Sequence, residues 1–280
     1  MSDLSKKRVI TAALCGSWSM KEMNPNVPYT AEEIAKDAYD CWKAGAAIVH
    51  IHVRNDDGTA STEFELYKKA IDRIRAYEDC DVCINITSSG SVGYGDEERI
   101  YPLQQLLPEL ASYDAGTLNW QHKTIFENSP RFLEKLGTAL IESNIKPEIE
   151  IFDGGMVNNA IYYMKKGILK APCHFQFVLG CPGGLMNNIE SLVFLKSLLP
   201  EGSTWAGCGI STGHLPIMMA TIAMGGHLRV GLEDSLYMDK GVMATNPGLV
   251  ARAKKMLEIA NLEAATPAEA REIYGLTRKV

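Results

Sequence analysis

Two segments of this sequence carry reactive residue types at spacings that let them act together. The first is His50-Ile51-His52-Val53-Arg54, at the end of an apolar run. On a β-strand, residues i and i+2 point to the same face, so both imidazoles can turn one way while Ile51 turns the other. Neutral imidazole nitrogens suit Zn²⁺, and a catalytic zinc takes about three protein ligands and keeps one position open. The plainer reading of the pair is two hydrogen-bonded polar residues near a strand end. The second segment is Gly225-Gly-His227-Leu-Arg229-Val-Gly-Leu-Glu233-Asp234. A carboxylate there can complete a His₂Glu site; the alternative is a solvated acidic loop or an N-cap pair. Arg229 lies inside an apolar run and needs a partner, for which Asp234 or a substrate carboxylate would serve. His227, at the start of the run, reads as structural.

Other polar groups stand where apolar runs end. Thr87-Ser88-Ser89-Gly90 follows one run, and Ser112 and Asp114 close another. Glu148 and Glu150 share one face of a third, and Gln176 precedes Gly180-Cys-Pro-Gly-Gly184. Small residues there admit a ligand close to the backbone. Rival chemistries lack their parts. There is no H-E-x-x-H, and no lysine at the end of an apolar run to form a Schiff base.

The elements that must position these groups alternate strand and helix. Strands are predicted at 9–14, 46–53, 82–86, 111–114 (short), 147–152, 173–179, 204–208 and 227–231. Between them Thr30-Ala-Glu-Glu33 and Thr266-Pro-Ala-Glu269 read as capping boxes, and Ser129-Pro130 starts a helix. Leu66, Ala70, Ile71 and Ile74 have helical spacing, and a further helix is predicted over 99–107. Many strands are near-continuous apolar runs, as a parallel sheet covered on both faces requires. Eight such units over residues 1–280, with no linker or composition break, predict a single (β/α)₈ TIM barrel. A doubly wound sheet would want G-x-G-x-x-G after an early strand, and none is present. In a barrel of this kind the reacting groups sit at the C-terminal strand ends. The last strand is then two places around the ring from the second, so His50, His52 and Glu233 can meet.

The composition narrows the function. There are 28 Lys plus Arg against 34 Asp plus Glu, a formal net charge of −6. With no basic excess, nucleic acid and anionic membrane surfaces are unexpected partners. No apolar run is long enough to span a membrane, and the first ten residues show no secretory h-region. Seven cysteines, an odd number, fit a reduced cytoplasmic protein. Cys80 and Cys83 form a lone C-x-x-C that reads as two small buried residues.

The chain resembles the β-keto acid cleavage enzymes. The resemblance rests on Thr11-Ala-Ala13, Val49-His-Ile-His-Val-Arg54, Ile86-Thr-Ser-Ser-Gly90 and Ala115-Gly-Thr-Leu-Asn119. It continues through Pro147-Glu-Ile-Glu150, Gln176-Phe-Val-Leu-Gly-Cys-Pro-Gly-Gly184 and Gly226-His-Leu-Arg-Val-Gly-Leu-Glu-Asp234. It implies a zinc-dependent barrel enzyme that converts a β-keto acid and acetyl-CoA into acetoacetate and a new acyl-CoA. It implies metal ligands at His50, His52 and Glu233, a general base at Asp234 and its partner at Arg229. It puts catalytic hydroxyls at Thr87 and Ser112, and it suggests a homotetramer. Ser88, Gly90, Asp114 and Glu150 are further candidate substrate contacts at the same mouth.

One position departs from the family. The member acting on 3-keto-5-aminohexanoate carries a Glu after the first strand, suited to an ammonium. Here that position is Trp18. An indole favours an apolar tail, or a quaternary ammonium such as that of dehydrocarnitine, with Trp120 and Tyr residues sharing the contact. Two competing readings are a zinc hydrolase of the amidohydrolase type and a zinc-binding barrel without catalysis. In the first, the H-x-H pair usually ends strand one, whereas here it ends strand two.

Overall fold

A computed structural model describes residues 3–89 and 93–277. Gly90, one of the candidate contacts, lies outside them. Eight parallel strands close into a barrel: β1 (Ile10–Ala13), β2 (Ile48–Ile51), β3 (Cys83–Ile86), β4 (Leu110–Asp114), β5 (Lys146–Ile151), β6 (His174–Leu179), β7 (Thr204–Gly209) and β8 (His227–Val230). The ring runs β7-β8-β1-β2-β3-β4-β5-β6, with β6 pairing β7 to close it. The helices are α1 (Ala31–Ala44), α2 (Phe64–Arg75), α3 (Asp96–Leu106), α4 (Pro130–Glu142), α5 (Gly154–Lys165), α6 (Ile189–Ser197), α7 (His214–Ala223), α8 (Asn246–Ile259) and α9 (Pro267–Tyr274).

Local sequence explains these elements. The Thr30–Glu33 and Thr266–Glu269 capping boxes are both made, and the Ser129 hydroxyl accepts from the Phe132 amide. Helix α1 buries Ile34, Ala38 and Cys41, and α2 buries Tyr67, Ala70 and Ile74, at the three- and four-residue spacing of one helix face. Against these pack the outward strand residues Ile10, Ala12, Val49, Ile51, Ile84 and Ile86, in one continuous core. A second cluster closes the N-terminal end of the barrel. There Tyr274 and Ala270 of α9 pack on Val9, Ile48, Cys83 and Leu110. A short parallel pair, Lys7–Arg8 with Glu263–Ala264, ties the two ends of the chain together.

The largest departures from the expected bounds are one strand and one helix. The run 46–53 pairs within the barrel only to Ile51; Val53–Arg54 turns away to pair antiparallel with Ala60–Ser61. His52 therefore stands just past the last paired residue, at the rim. Helix α3 begins at Asp96 rather than Arg99, because Glu98 bonds back to the Gly95 amide and three acids fill the first turn. All seven cysteines are buried and free, Cys80 and Cys83 among them. No helix among the described residues is long and apolar enough to cross a membrane.

Candidate active site

The C-terminal strand ends form the wall of a cavity of about 530 Å³. His50 and His52 enter it from β2. Glu233 enters from the loop after β8, which is drawn tightly against β1. Gly231 makes that approach feasible: a Cβ there would stand 1.9 Å from the Ala13 carbonyl oxygen. Gly16, at φ +58°, leaves room for the Glu233 side chain, since a Cβ there would lie 2.6 Å from Glu233 Cγ.

Three donor groups meet at this corner. His52 Nε2 and His50 Nε2 stand 3.5 and 3.8 Å from Glu233 Oε1. The three donor atoms lie within 4.8 Å of one another. Burial lowers the pKa of His50 to about 3, with Glu233 opposing and Arg229 adding, so its imidazole is neutral. Burial pushes the Glu233 carboxyl up, but His52, Arg229 and His50 outweigh it and hold the group well below the usual carboxylate range.

Arg229 organises the acids. Its Nε and Nη2 donate to the two oxygens of Asp234 at 3.0 and 3.1 Å. Nη2 also donates to Glu233 Oε1 at 2.6 Å, and Nη1 to Glu150 Oε1 at 2.8 Å. Sequence reasoning anticipated Asp234 as a partner; closure of the barrel adds Glu150 from β5 and Glu233. Burial pushes the Asp234 carboxyl up to about 6, against the pull of Arg229 and with repulsion from Glu233.

A divalent metal fits this charge balance. One guanidinium faces three carboxylates, Glu150 and Asp234 buried and Glu233 half-buried, an uneven ratio that is costly in a low-dielectric interior unless a further cation or protons supply the difference. Glu233 Oε2 is buried and has no hydrogen-bond partner. Two imidazoles and one ionised carboxylate make a donor set suited to zinc.

The hydroxyls and remaining acids divide into two groups. Thr87 and Asp114 line the cavity, as does Glu150. Burial and repulsion from Glu150, against the pull of Arg99, raise the Asp114 carboxyl well above its ordinary range. Ser112 and Ser88 stand behind the wall: the Ser112 hydroxyl accepts from the Ser88 amide at 2.9 Å and lies 3.3 Å from the Ser88 hydroxyl. His227 is remote from the histidine pair and accepts from the Val9 amide at 3.0 Å, a structural role.

Sequence reasoning missed part of the wall. Arg99 lines the cavity and is buried, donating to the Ser88 and Glu127 carbonyls and to Asn128 Oδ1. Its guanidinium lies 3.7 Å from the Phe132 ring centroid. Ile125 and Phe126, from the loop after β4, form an apolar side of the cavity together with Trp120 and the 51% exposed Trp18, both of which the sequence offers as tail contacts. The available signal was two large apolar side chains, Ile125 and Phe126, close to Trp120 in a stretch without strand or helix period.

Comparisons with known proteins agree with this architecture. The β-keto acid cleavage enzyme profile matches residues 7–276. The 3-keto-5-aminohexanoate cleavage enzyme of Fusobacterium nucleatum is 45% identical over 277 residues, covering 98% of this chain and 100% of that one. The 3-dehydrocarnitine:acetyl-CoA trimethylamine transferase of Rhizobium meliloti is 30% identical over 297 residues, covering 99% of each. The apo structure of ObcA superposes with a TM-score of 0.80 at 20% identity, covering 90% of this chain and 66% of that longer one, a likeness of fold.

Proposed function

The chain belongs to the β-keto acid cleavage enzyme family, and from that premise we propose that it is a zinc enzyme exchanging acyl groups between a β-keto acid and acetyl-CoA. The observation that carries the reading is the corner where His50, His52 and Glu233 meet beside the Arg229–Asp234 pair. Zinc held by the three ligands would act as a Lewis acid toward the keto oxygen.

The chain's own residues supply the rest. Asp234, held by the Arg229 fork, takes a proton from C2 of the β-keto acid. The carbanion adds to the thioester carbonyl of acetyl-CoA and expels CoA thiolate. The thiolate then adds to the original keto carbon, and the bond from that carbon to C2 breaks. The new acyl-CoA leaves, and the proton on Asp234 returns to C2 to give acetoacetate. Thr87 faces the cavity and is placed to donate to the substrate carboxylate or to a developing oxyanion, and Asp114 lines the same wall. Ser112 acts from behind, fixing the Ser88 backbone. No cysteine nucleophile is needed, and burial raises the Cys15 and Cys181 thiols to about 12.

The tail of the substrate meets Trp18, Trp120 and Phe126. We propose a β-keto acid with an apolar or quaternary-ammonium tail, such as dehydrocarnitine, in place of 3-keto-5-aminohexanoate. A panel of β-keto acids with acetyl-CoA, read by acetoacetate release, tests both levels. The wild type should prefer the apolar or trimethylammonium tails. Trp18→Glu should shift preference toward the primary ammonium by about tenfold or more, given the roughly 0.5–2 kcal/mol of a cation–π contact and the added ion pair. A wild type that favours 3-keto-5-aminohexanoate sinks the tail assignment. A wild type that releases no acetoacetate from any keto acid sinks the reaction.

We also propose a homotetramer working in a reducing, cytoplasmic setting, the latter supported by seven unpaired cysteines. Exposed Ile189, Val193 and Phe194 on α6 and Leu215 and Met219 on α7 supply an apolar face of the kind that association buries. Light scattering should read four chain masses of 30.8 kDa; one chain mass at micromolar concentration contradicts it.

A further inference from the structure

We propose that Glu148, fastened by Asn85, is a positioning residue that holds His50 in the tautomer and orientation needed to ligate zinc; this rests on the metal reading above. The argument starts from the two ring nitrogens of His50. Nε2 faces Glu233, at 3.8 Å. Nδ1 faces the opposite way, toward Glu148 Oε1, at 3.9 Å. When Nε2 gives its lone pair to a metal, the neutral ring carries its proton on Nδ1. That nitrogen is buried and has no hydrogen-bond partner. A buried donor left unpaired is destabilising, so the N–H needs an acceptor in reach. Glu148 is the carboxylate that β5 brings across the barrel interior to that side. It is fully buried, and its own Oε2 has no partner.

Asn85 explains why Glu148 stays there. It sits beside His50 in the β2–β3 register, and its Nδ2 donates to Glu148 Oε1 at 2.6 Å. Three strands thus contribute to one relay: the ligand from β2, the acceptor from β5 and the fastener from β3. Metal-bound histidines commonly donate their second nitrogen to a carboxylate, which fixes the ring and raises its basicity.

A different assignment competes for the same atoms. His50, Glu148 and Glu150 also offer donor atoms within 4.8 Å of one another, which could hold a second cation. The surroundings oppose it. Glu150 Oε1 already accepts from the Arg229 guanidinium, and Glu148 Oε1 from the Asn85 amide. A cation would lie against a fixed positive charge and an N–H donor. Glu148 also lines no part of the cavity by which an ion would enter. It therefore supports one metal and does not hold another.

The test is zinc affinity, measured on the purified full-length protein by competition with a chromophoric chelator, alongside zinc stoichiometry. The wild type should bind one zinc per chain. Glu148→Leu should weaken binding by about 10–100-fold, the range for loss of such a partner. Glu148→Gln, whose amide oxygen can still accept, should recover most of that loss. Asn85→Ala leaves the carboxylate but unfastens it, and should fall between; with Glu148→Gln it carries the test if Glu148→Leu does not fold. Cobalt substitution supplies a second readout, with a shifted visible spectrum in Glu148→Leu. Wild-type affinity in Glu148→Leu, or in Asn85→Ala where the former is unfolded, overturns the proposal. So do two zinc ions per chain with one lost on removing Glu148. A wild type that binds no zinc fails the metal reading itself, a separate outcome.

Discussion

Glu233→Gln is expected to strip the protein of zinc and of turnover together. The substitution keeps the side chain's shape and removes its charge. Glu233 is the only anionic member of the His50–His52–Glu233 set, and an amide is a poor ligand beside two imidazoles. The loss of zinc affinity should exceed the roughly 10–100-fold that removal of an outer partner costs. Acetoacetate release should fall in proportion to zinc occupancy. The fold should survive, because Arg229 keeps Glu150 and Asp234 as partners and the buried acid excess is reduced by one. His50→Ala should behave alike. Zinc content after gel filtration, set beside the rate of acetoacetate release, is the measurement. Full activity in a metal-stripped variant would refute zinc catalysis outright.

Asp234→Asn separates the base from the metal. Asp234 touches Arg229 through both oxygens, and the metal set does not include it. Zinc should therefore remain at one per chain. Exchange of the C2 protons of the β-keto acid with deuterium should slow by about 10²–10⁴-fold, the usual worth of a positioned base. Two effects add. The amide has no basic oxygen with a pKa near neutrality, whereas the Asp234 carboxyl lies at about 6. The amide NH₂ would also meet a guanidinium N–H, so the two-point contact with Arg229 is broken. Undiminished deuterium wash-in at full zinc occupancy would remove Asp234 as the base and turn attention to Glu150, the other acid on Arg229.

These expectations rest on features with different origins. The barrel was legible in the sequence because each of its causes is local. Apolar runs of four to six residues, capping boxes at Thr30 and Thr266, and the Ser129–Pro130 start each act within a turn or a strand. Period-two alternation likewise put His50 and His52 on one face, and the adjacency of Glu233 and Asp234 to an apolar strand put both acids at its end. What the sequence left open was which inward side chains meet across the ring. A strand's period says that Glu148 and Glu150 share a face; it does not say which neighbours that face opposes. Closure of eight strands in one register decides it. It puts Glu150 on Arg229, 79 positions away, and Glu148 between His50 and Asn85. The same closure made Ser112 a support for Ser88 rather than a wall of the cavity, and drew Ile125 and Phe126 from an unpatterned loop into that wall beside Trp120. Sequence periodicity determined the faces, and the ring geometry determined the contacts, because contact across a barrel depends on the register and tilt of strands far apart in the chain.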